Sequence, residues 1–98
     1  MRNLYQFAVI HSREIRDIVR EHKFDQPEFI DDVSPRHDLT LLVRPVGRPT
    51  LLDMAAIVDE FEERWGMRVY LVTPDALSPE DERLVRPLME AKSVAHGH

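Results

Sequence analysis

The segment Asp38-Leu39-Thr40-Leu41-Leu42-Val43 has the strongest β-strand pattern in this chain. Its apolar residues at positions 39, 41 and 43 alternate with Thr40 and Leu42, a period of two that is typical of a β-strand. Pro45 has no N–H to give to a neighbouring strand, so we expect the strand to stop there. We therefore predict a strand over residues 38–43, and the other elements are placed around it.

The residues that follow predict a helix and a second strand. Thr50 and Asp53 have the spacing of a capping box, and Gly66 is a suitable residue to end the helix. The apolar stripe of this helix consists of Leu51, Met54, Val58, Phe61 and Trp65. The residues 68–73 (RVYLVT) then predict a strand that ends before Pro74.

The carboxyl-terminal part predicts one more helix. Ser78 is a suitable N-cap, Pro79 suits the first turn, and the acidic residues at 80 and 81 favour the positive end of the helix dipole. Pro87 should kink or end this helix. We expect residues 93–98 to form a disordered tail.

The amino-terminal part predicts one long amphipathic helix from Leu4 to His22, capped by Asn3. A strand over residues 4–10 is an alternative, because β-branched residues at 9 and 10 lie off the helical stripe. Pro27 should end the helix, and the residues 28–33 (EFIDDV) form a strand candidate closed by the turn residues at 34 and 35.

The predicted order is therefore α-β-β-α-β-α, an α/β (α+β) fold with a small mixed sheet of about three strands and helices on its faces. A chain of 98 residues with 43% hydrophobic and 32% charged residues is expected to form a single globular domain over residues 1–98. We find no repeat and no linker that would divide it.

Charge and cysteine content narrow the function classes. The formal net charge is −5, which disfavours a nucleic-acid partner because the phosphate backbone attracts clustered lysine and arginine. The chain has no cysteine, hence no disulfide and no cysteine nucleophile. It has no apolar run long enough for a signal peptide or a membrane span. We expect a soluble, cytoplasmic protein without membrane association.

Four segments together resemble a known family. They are the strand at 38–43, the capping segment Thr50–Asp53, the acidic helix end Glu62–Gly66, and the segment Arg68–Leu77. In order and spacing they are similar to the minimal nucleotidyltransferases of the polymerase-β superfamily, over roughly residues 15–94. The resemblance implies a nucleotidyltransferase-like fold for this chain.

The family's catalytic residues are mostly absent from the matching positions. In the family a Gly-Ser pair after the first strand holds nucleotide phosphate, and three aspartates on the next two strands bind divalent metal. Here Ile30 and Asp31 stand where the Gly-Ser pair is expected, Thr40 replaces the second aspartate and Tyr70 the third. Asp38 alone matches a metal ligand. Mg²⁺ requires several oxygen ligands, so the resemblance implies a degenerate member without nucleotidyl-transfer chemistry.

The resemblance also implies how such a chain could act. Minimal nucleotidyltransferases often pair with a small helical protein of the HEPN type, as antitoxin to its toxin. We therefore expect a pseudoenzyme that acts by protein–protein binding, as an antitoxin-like or accessory subunit or as a homo-oligomer, with no cofactor. The alternatives are a divergent transferase that uses Mg²⁺ and nucleotide, and a nucleotide-sensing module without chemistry.

The candidate site residues follow from these alternatives. Asp38 is the residual catalytic candidate, and Asp31 and Asp32 could join it in a relocated metal site if the first two strands pair as a hairpin. The same aspartates could equally be solvated residues at strand ends. Trp65 and Tyr70 flank the Gly66 turn and are candidates for a protein interface or for the closure of the core.

Overall fold

A computed structural model describes residues 3–32 and 38–88 of the chain. Its helices are α1 (Leu4–Ile10), α2 (Ser12–Glu21), α3 (Leu51–Trp65) and α4 (Pro79–Glu82). Its strands are β1 (Phe24–Ile30), β2 (Leu39–Pro45), β3 (Val69–Val72) and β4 (Val85–Pro87), and a short 3₁₀ turn covers Pro74–Ala76.

The four strands form one mixed sheet in the order β3-β2-β1-β4. Strand β1 pairs antiparallel with both β2 and β4, whereas β2 and β3 run parallel. The parallel connection between β2 and β3 passes through α3, as a crossover of this kind requires. The α/β (α+β) class and the mixed sheet are therefore confirmed, with one strand more than predicted.

Helices α1, α2 and α3 pack on the same face of the sheet. The core between them is completely apolar and contains Ala8, Ile15, Ile18, Val19, Ile57 and Phe61 from the helices and Phe29, Leu39, Leu41, Val43, Val69 and Leu71 from the strands. The alternation predicted for β2 places its residues 39, 41 and 43 here. We call this the helix face of the sheet.

The opposite face is covered less completely. Ile30, Leu42 and Val72 form a small buried cluster there, against which Leu77, Leu84 and Val85 pack. The cover comes from the segment that follows β3 and not from a long helix. We call this the open face of the sheet.

The amino-terminal part is helical as predicted, but it forms two helices and not one. Residues 4–10 are helical and not a strand, and the Asn3 side chain accepts a hydrogen bond from the N–H of Gln6, as expected of an N-cap. The helix ends at His11, however, and α2 restarts at Ser12. Ile10, which lies off the predicted stripe, is 68% exposed.

Strand β1 begins four residues earlier than predicted. It starts at Phe24 and includes Pro27, because the pairing with β2 shifts register between Asp25 and Glu28. This bulge accommodates a residue without an N–H inside a strand. The strand ends at Ile30, and the predicted turn at residues 34 and 35 lies outside the described residues.

The boundaries of α3 are confirmed. Thr50 and Asp53 form the capping box, and Gly66 ends the helix in the left-handed conformation with φ of 61°. The predicted stripe is wrong at its first position, since Leu51 is 82% exposed and Ile57 is buried instead. Strand β3 follows at Val69, and the end before Pro74 is confirmed.

The last predicted helix is wrong beyond its first turn. Ser78 does cap α4, but the helix ends at Glu82 and the chain continues into β4. Pairing with the free edge of β1 satisfies backbone groups of residues 85–87, which a short exposed helix would leave to water. Pro87 is tolerated there because β4 is an edge strand. The predicted disordered tail at 93–98 lies outside the described residues.

No helix in the described ranges is both long and apolar enough to cross a membrane.

Candidate functional site

The positions that correspond to the family's metal-binding aspartates lie close together on the open face of the sheet. Thr40 of β2 lies directly beside Tyr70 of β3 in the parallel register. Asp38 precedes Thr40 by two residues, and residues with this spacing point to the same side of a strand. The fold therefore places Asp38, Thr40 and Tyr70 at one end of β2 and β3.

Asp38 is engaged in contacts with Arg68, at the start of β3. Its carboxylate oxygen Oδ2 accepts a hydrogen bond from the Arg68 N–H at 3.0 Å and lies 3.8 Å from the Arg68 Nε. The N–H of Asp38 donates to the Arg68 carbonyl at 2.8 Å. This aspartate thus joins the beginnings of two neighbouring strands, which is a structural role.

Asp32 brings a second carboxylate to the same face. The Thr40 hydroxyl donates to Asp32 Oδ1 at 2.7 Å, and Thr40 is only 3% exposed. The antiparallel pairing of β1 and β2 makes this contact possible, because it places the end of β1 beside the beginning of β2. The sequence names both residues, but it does not reveal that they meet.

Asp31 lies apart from this arrangement. Its Oδ2 is 3.2 Å from Arg86 Nη2, and its N–H donates to the Leu84 carbonyl at 2.9 Å. Arg86 in turn lies over the ring of Tyr5, 5.3 Å from its centre. Ile30, at the position of the family's glycine, is 1% exposed and belongs to the apolar cluster of the open face.

One group of metal-ligating side chains lies elsewhere in the described residues. Glu21, His22 and Glu60 offer ligand atoms within 4.8 Å of one another, and this group does not include Asp31, Asp32 or Asp38. Glu60 is already shared, since Arg64 Nε lies 3.4 Å from its second oxygen. Sequence analysis did not find this group because α2 and α3 are distant in sequence.

The two aromatic candidates have different surroundings. Trp65 packs edge-on against Phe7 and Phe61, with ring centres 5.3 and 5.1 Å apart, and lies 5.3 Å from His11. It therefore closes the core between α1 and α3. Tyr70 is 56% exposed on the open face.

An exposed apolar surface at the start of α3 was not predicted. Leu51 and Leu52 are 82% and 81% exposed, and Val46 in the preceding loop is 54% exposed. Single exposed leucines are common, but two adjacent leucines with most of their surface in water are a feature of interaction surfaces. Both leucines lie in the first turn of α3, which begins after the capping residue Thr50.

Comparison with known proteins supports the fold. A solved structure described as "Structure of putative minimal nucleotidyltransferase" superposes with a TM-score of 0.65, covering 85% of this chain and 94% of that chain at 23% sequence identity. No family model matches the sequence, and no curated protein matches it. The chain therefore has a nucleotidyltransferase-like fold of the minimal type.

Proposed function

We propose that this chain is a non-catalytic nucleotidyltransferase-like protein that acts by binding another protein, as an antitoxin-like or accessory subunit. One observation carries the proposal. The three neighbouring positions where the family has metal-binding aspartates hold Asp38, Thr40 and Tyr70, and so supply a single carboxylate.

The contacts of Asp38 weigh further against metal chemistry. Phosphoryl transfer needs metal ions held by several oxygen ligands and placed against the entering and leaving oxygens. The Asp38 carboxylate already accepts the Arg68 N–H, and the guanidinium of Arg68 lies nearby. A cation at Asp38 would have to displace the backbone N–H of Arg68 and would be repelled by the guanidinium of that residue.

The exposed start of α3 supports a binding role. Leu51 and Leu52 offer an apolar centre, which a partner could cover to remove apolar surface from water. The family resemblance suggests a small helical partner of the HEPN type, and a second copy of the chain is the other possibility.

The test is capture of a partner by the tagged protein together with light scattering of the purified protein. We expect either a stable heteromeric complex or a defined homo-oligomer. The double variant Leu51→Gln/Leu52→Gln should lose the complex while its free energy of unfolding changes by less than about 1 kcal/mol in total.

Ile10→Gln is the matched control, because Ile10 is also an exposed apolar residue of a helix but lies in α1. This variant should keep the complex. A protein that stays monomeric and captures no partner would contradict the proposal, as would equal loss of the complex in both variants.

A divergent transferase is the second candidate, and the contact between Asp32 and Thr40 favours it. The Asp32 carboxylate lies 2.7 Å from the hydroxyl at the position of the family's second aspartate, so it could replace that ligand. Under this hypothesis Asp38 and Asp32 would hold Mg²⁺ with nucleotide, while Asp31 stays paired with Arg86.

Label transfer from radioactive ATP to protein or RNA tests this second candidate. Asp38→Ala and Asp32→Asn should each abolish the transfer, whereas Asp17→Asn, an exposed aspartate of α2, should not. Transfer that is present in all variants would point to a contaminant, and no transfer in the unchanged protein would rule out the candidate.

A further inference from the structure

A cleft near the end of β2 that lies away from Asp38 has the features of a small-molecule site. It has a volume of about 360 Å³ and lies between α2, the beginning of β1, the end of β2 and the end of β4. This volume falls within the range of about 300–1,000 Å³ that is usual for ligand pockets. Asp38 precedes β2, whereas Arg44 near the other end of that strand lines the cleft.

Irregular pairing of β1 creates the cleft. Strand β4 pairs with residues 28–30 only, and within residues 3–32 and 38–88 no strand continues alongside Phe24–Pro27 on that side. The bulge falls in the same stretch, and Gln26 has a φ of 52°, in the left-handed region that is unusual for a residue with a side chain. Bulges are over-represented at sheet edges and next to active sites.

The rim of the cleft carries three arginines. Arg16 and Arg20 are four residues apart on α2, which places them on the same side of the helix, and Arg44 comes from β2. Arg20 Nε lies 2.9 Å from Asp25 Oδ1, and Arg44 Nη2 lies 3.6 Å from Glu28 Oε1. Asp25 and Glu28 also line the cleft, so its three arginines leave an excess of one positive charge there, in a chain with a net charge of −5.

Arg16 differs from the other two arginines. It makes no hydrogen bond and no ion pair with another described residue. The pKa of Asp25 is lowered mainly by the hydrogen bond from Arg20, then by the N–H of Gln26, and the charge of Arg16 adds a smaller contribution. Arg16 therefore lies close enough to the cleft for its charge to act there, with its hydrogen-bond donors unused within the described chain.

The other walls of the cleft are apolar. Pro27 is buried at the bulge, and Pro87 and Leu88 come from the end of β4. A rigid apolar wall next to guanidinium groups matches a ligand with a flat apolar body and a negatively charged end.

We propose that this cleft binds a small organic oxyanion, a phosphate monoester or carboxylate carried on an apolar ring. Arg16 supplies the primary charge-assisted hydrogen bonds. Arg20 and Arg44 can contribute further N–H donors while they stay beside Asp25 and Glu28, because their present contacts use Arg20 Nε and Arg44 Nη2 only. The inference concerns a different part of the fold from the protein-binding proposal and does not depend on it.

The experiment is an NMR titration of the ¹⁵N-labelled protein that follows backbone amides and arginine Nε–H groups. The probes are phenyl phosphate, benzoate, inorganic phosphate and, as a neutral control, benzyl alcohol. We expect saturable shifts at residues 25–28 and at the Arg16 side chain with phenyl phosphate or benzoate, and the tighter of the two identifies the oxyanion. Inorganic phosphate should bind more weakly because it lacks a ring to contact the prolines.

Arg16→Gln should weaken binding of the tighter probe about tenfold, as expected for the loss of a charge-assisted hydrogen bond. The matched control is Arg13→Gln, which removes one positive charge from α2 at an exposed position that does not line the cleft. It should change the affinity less than about twofold, since it alters only a screened surface charge.

Four results would overturn the proposal. They are the absence of saturable shifts, shifts confined to the open face around Thr40, equal binding of benzyl alcohol, and equal weakening by the two variants.

Discussion

The two faces of the sheet are formed by alternate residues of the same strands, yet they differ in how they are covered. Leu41 contacts the continuous core under three helices, whereas Leu42 belongs to a cluster of three buried residues under a short segment. Beyond that cluster the open face becomes polar at Thr40 and Tyr70. The helix face therefore maintains the fold, while residues of the open face could change without loss of the scaffold.

The sharpest test of this difference uses two neighbouring leucines of β2. Leu41→Ala should lower the free energy of unfolding by about 4 kcal/mol, because the dense core around it cannot fill the cavity. Leu42→Ala should cost about 2–3 kcal/mol, since the thinner cover of the open face can move inward. Urea denaturation of both variants measures the two values. If Leu42→Ala lowered the free energy of unfolding as much as Leu41→Ala or more, the open face would not be the more loosely covered one.

The second prediction concerns the contribution of the Thr40–Asp32 hydrogen bond, in the polar part of the open face, to stability. Thr40→Val keeps the shape of the side chain but removes the hydrogen bond to the Asp32 carboxylate, which should cost about 1.5 kcal/mol at this buried position.

The control is Thr73→Val, because Thr73 donates to Asp75 in the same way at 2.6 Å but in an exposed turn. For Thr73→Val we expect the free energy of unfolding to fall by about 0.5 kcal/mol, since water can donate to the Asp75 carboxylate in place of the lost hydroxyl. Equal losses at the two threonines in urea denaturation would mean that Thr40 is not a specially constrained position of the open face.

A smaller effect than at Thr40 is expected at the start of α3, a helix of the helix face whose first turn carries exposed leucines. Thr50→Ala should cost about 1 kcal/mol through loss of the N-cap. Thermal unfolding measures this loss, and no change in the unfolding temperature would contradict a role of the cap in fixing α3.

The same cap should make stability depend on pH. The pKa of Asp53 is lowered from 3.8, first by the hydrogen bond from the Thr50 N–H, with contributions from the Thr50 hydroxyl and the charges of Lys23 and His22. Its contribution to stability is therefore complete above pH 3.8 and is lost as the pH falls through the lower folded-state pKa. The free energy of unfolding of the unchanged protein should therefore fall as the pH is lowered below 3.8. In Asp53→Asn, measured by urea denaturation over the same pH range, this fall should be smaller.

Sequence could predict those parts of the fold that depend on local pattern. The period of two in residues 38–43, the capping box at Thr50 and the stop at Gly66 each have a local physical cause, and all three are found in the structure. The break at His11, the bulge at Asp25 and the strand β4 depend on pairing and packing between distant segments. Local pattern carries no information about such partners.

The residues of the candidate site could be predicted from the sequence, but their contacts could not. Asp38 could be recognised from its place before a strand, and the missing carboxylates at Thr40 and Tyr70 could be read from the resemblance. The contacts of Asp38 with Arg68 and of Asp32 with Thr40 could not, because they depend on the register between strands. The arginine cleft likewise requires the bulge of β1, which no motif in the sequence indicates.

Calorimetric titration of the purified protein with ATP, in the presence and absence of Mg²⁺, shows whether the open face still holds a metal–nucleotide site. We expect no binding that depends on Mg²⁺, because the Asp38 carboxylate is held by Arg68 and the Asp32 carboxylate by the Thr40 hydroxyl. Saturable binding that requires Mg²⁺ and disappears in Asp38→Ala would contradict this expectation and would show that a catalytic or nucleotide-sensing site persists on the open face.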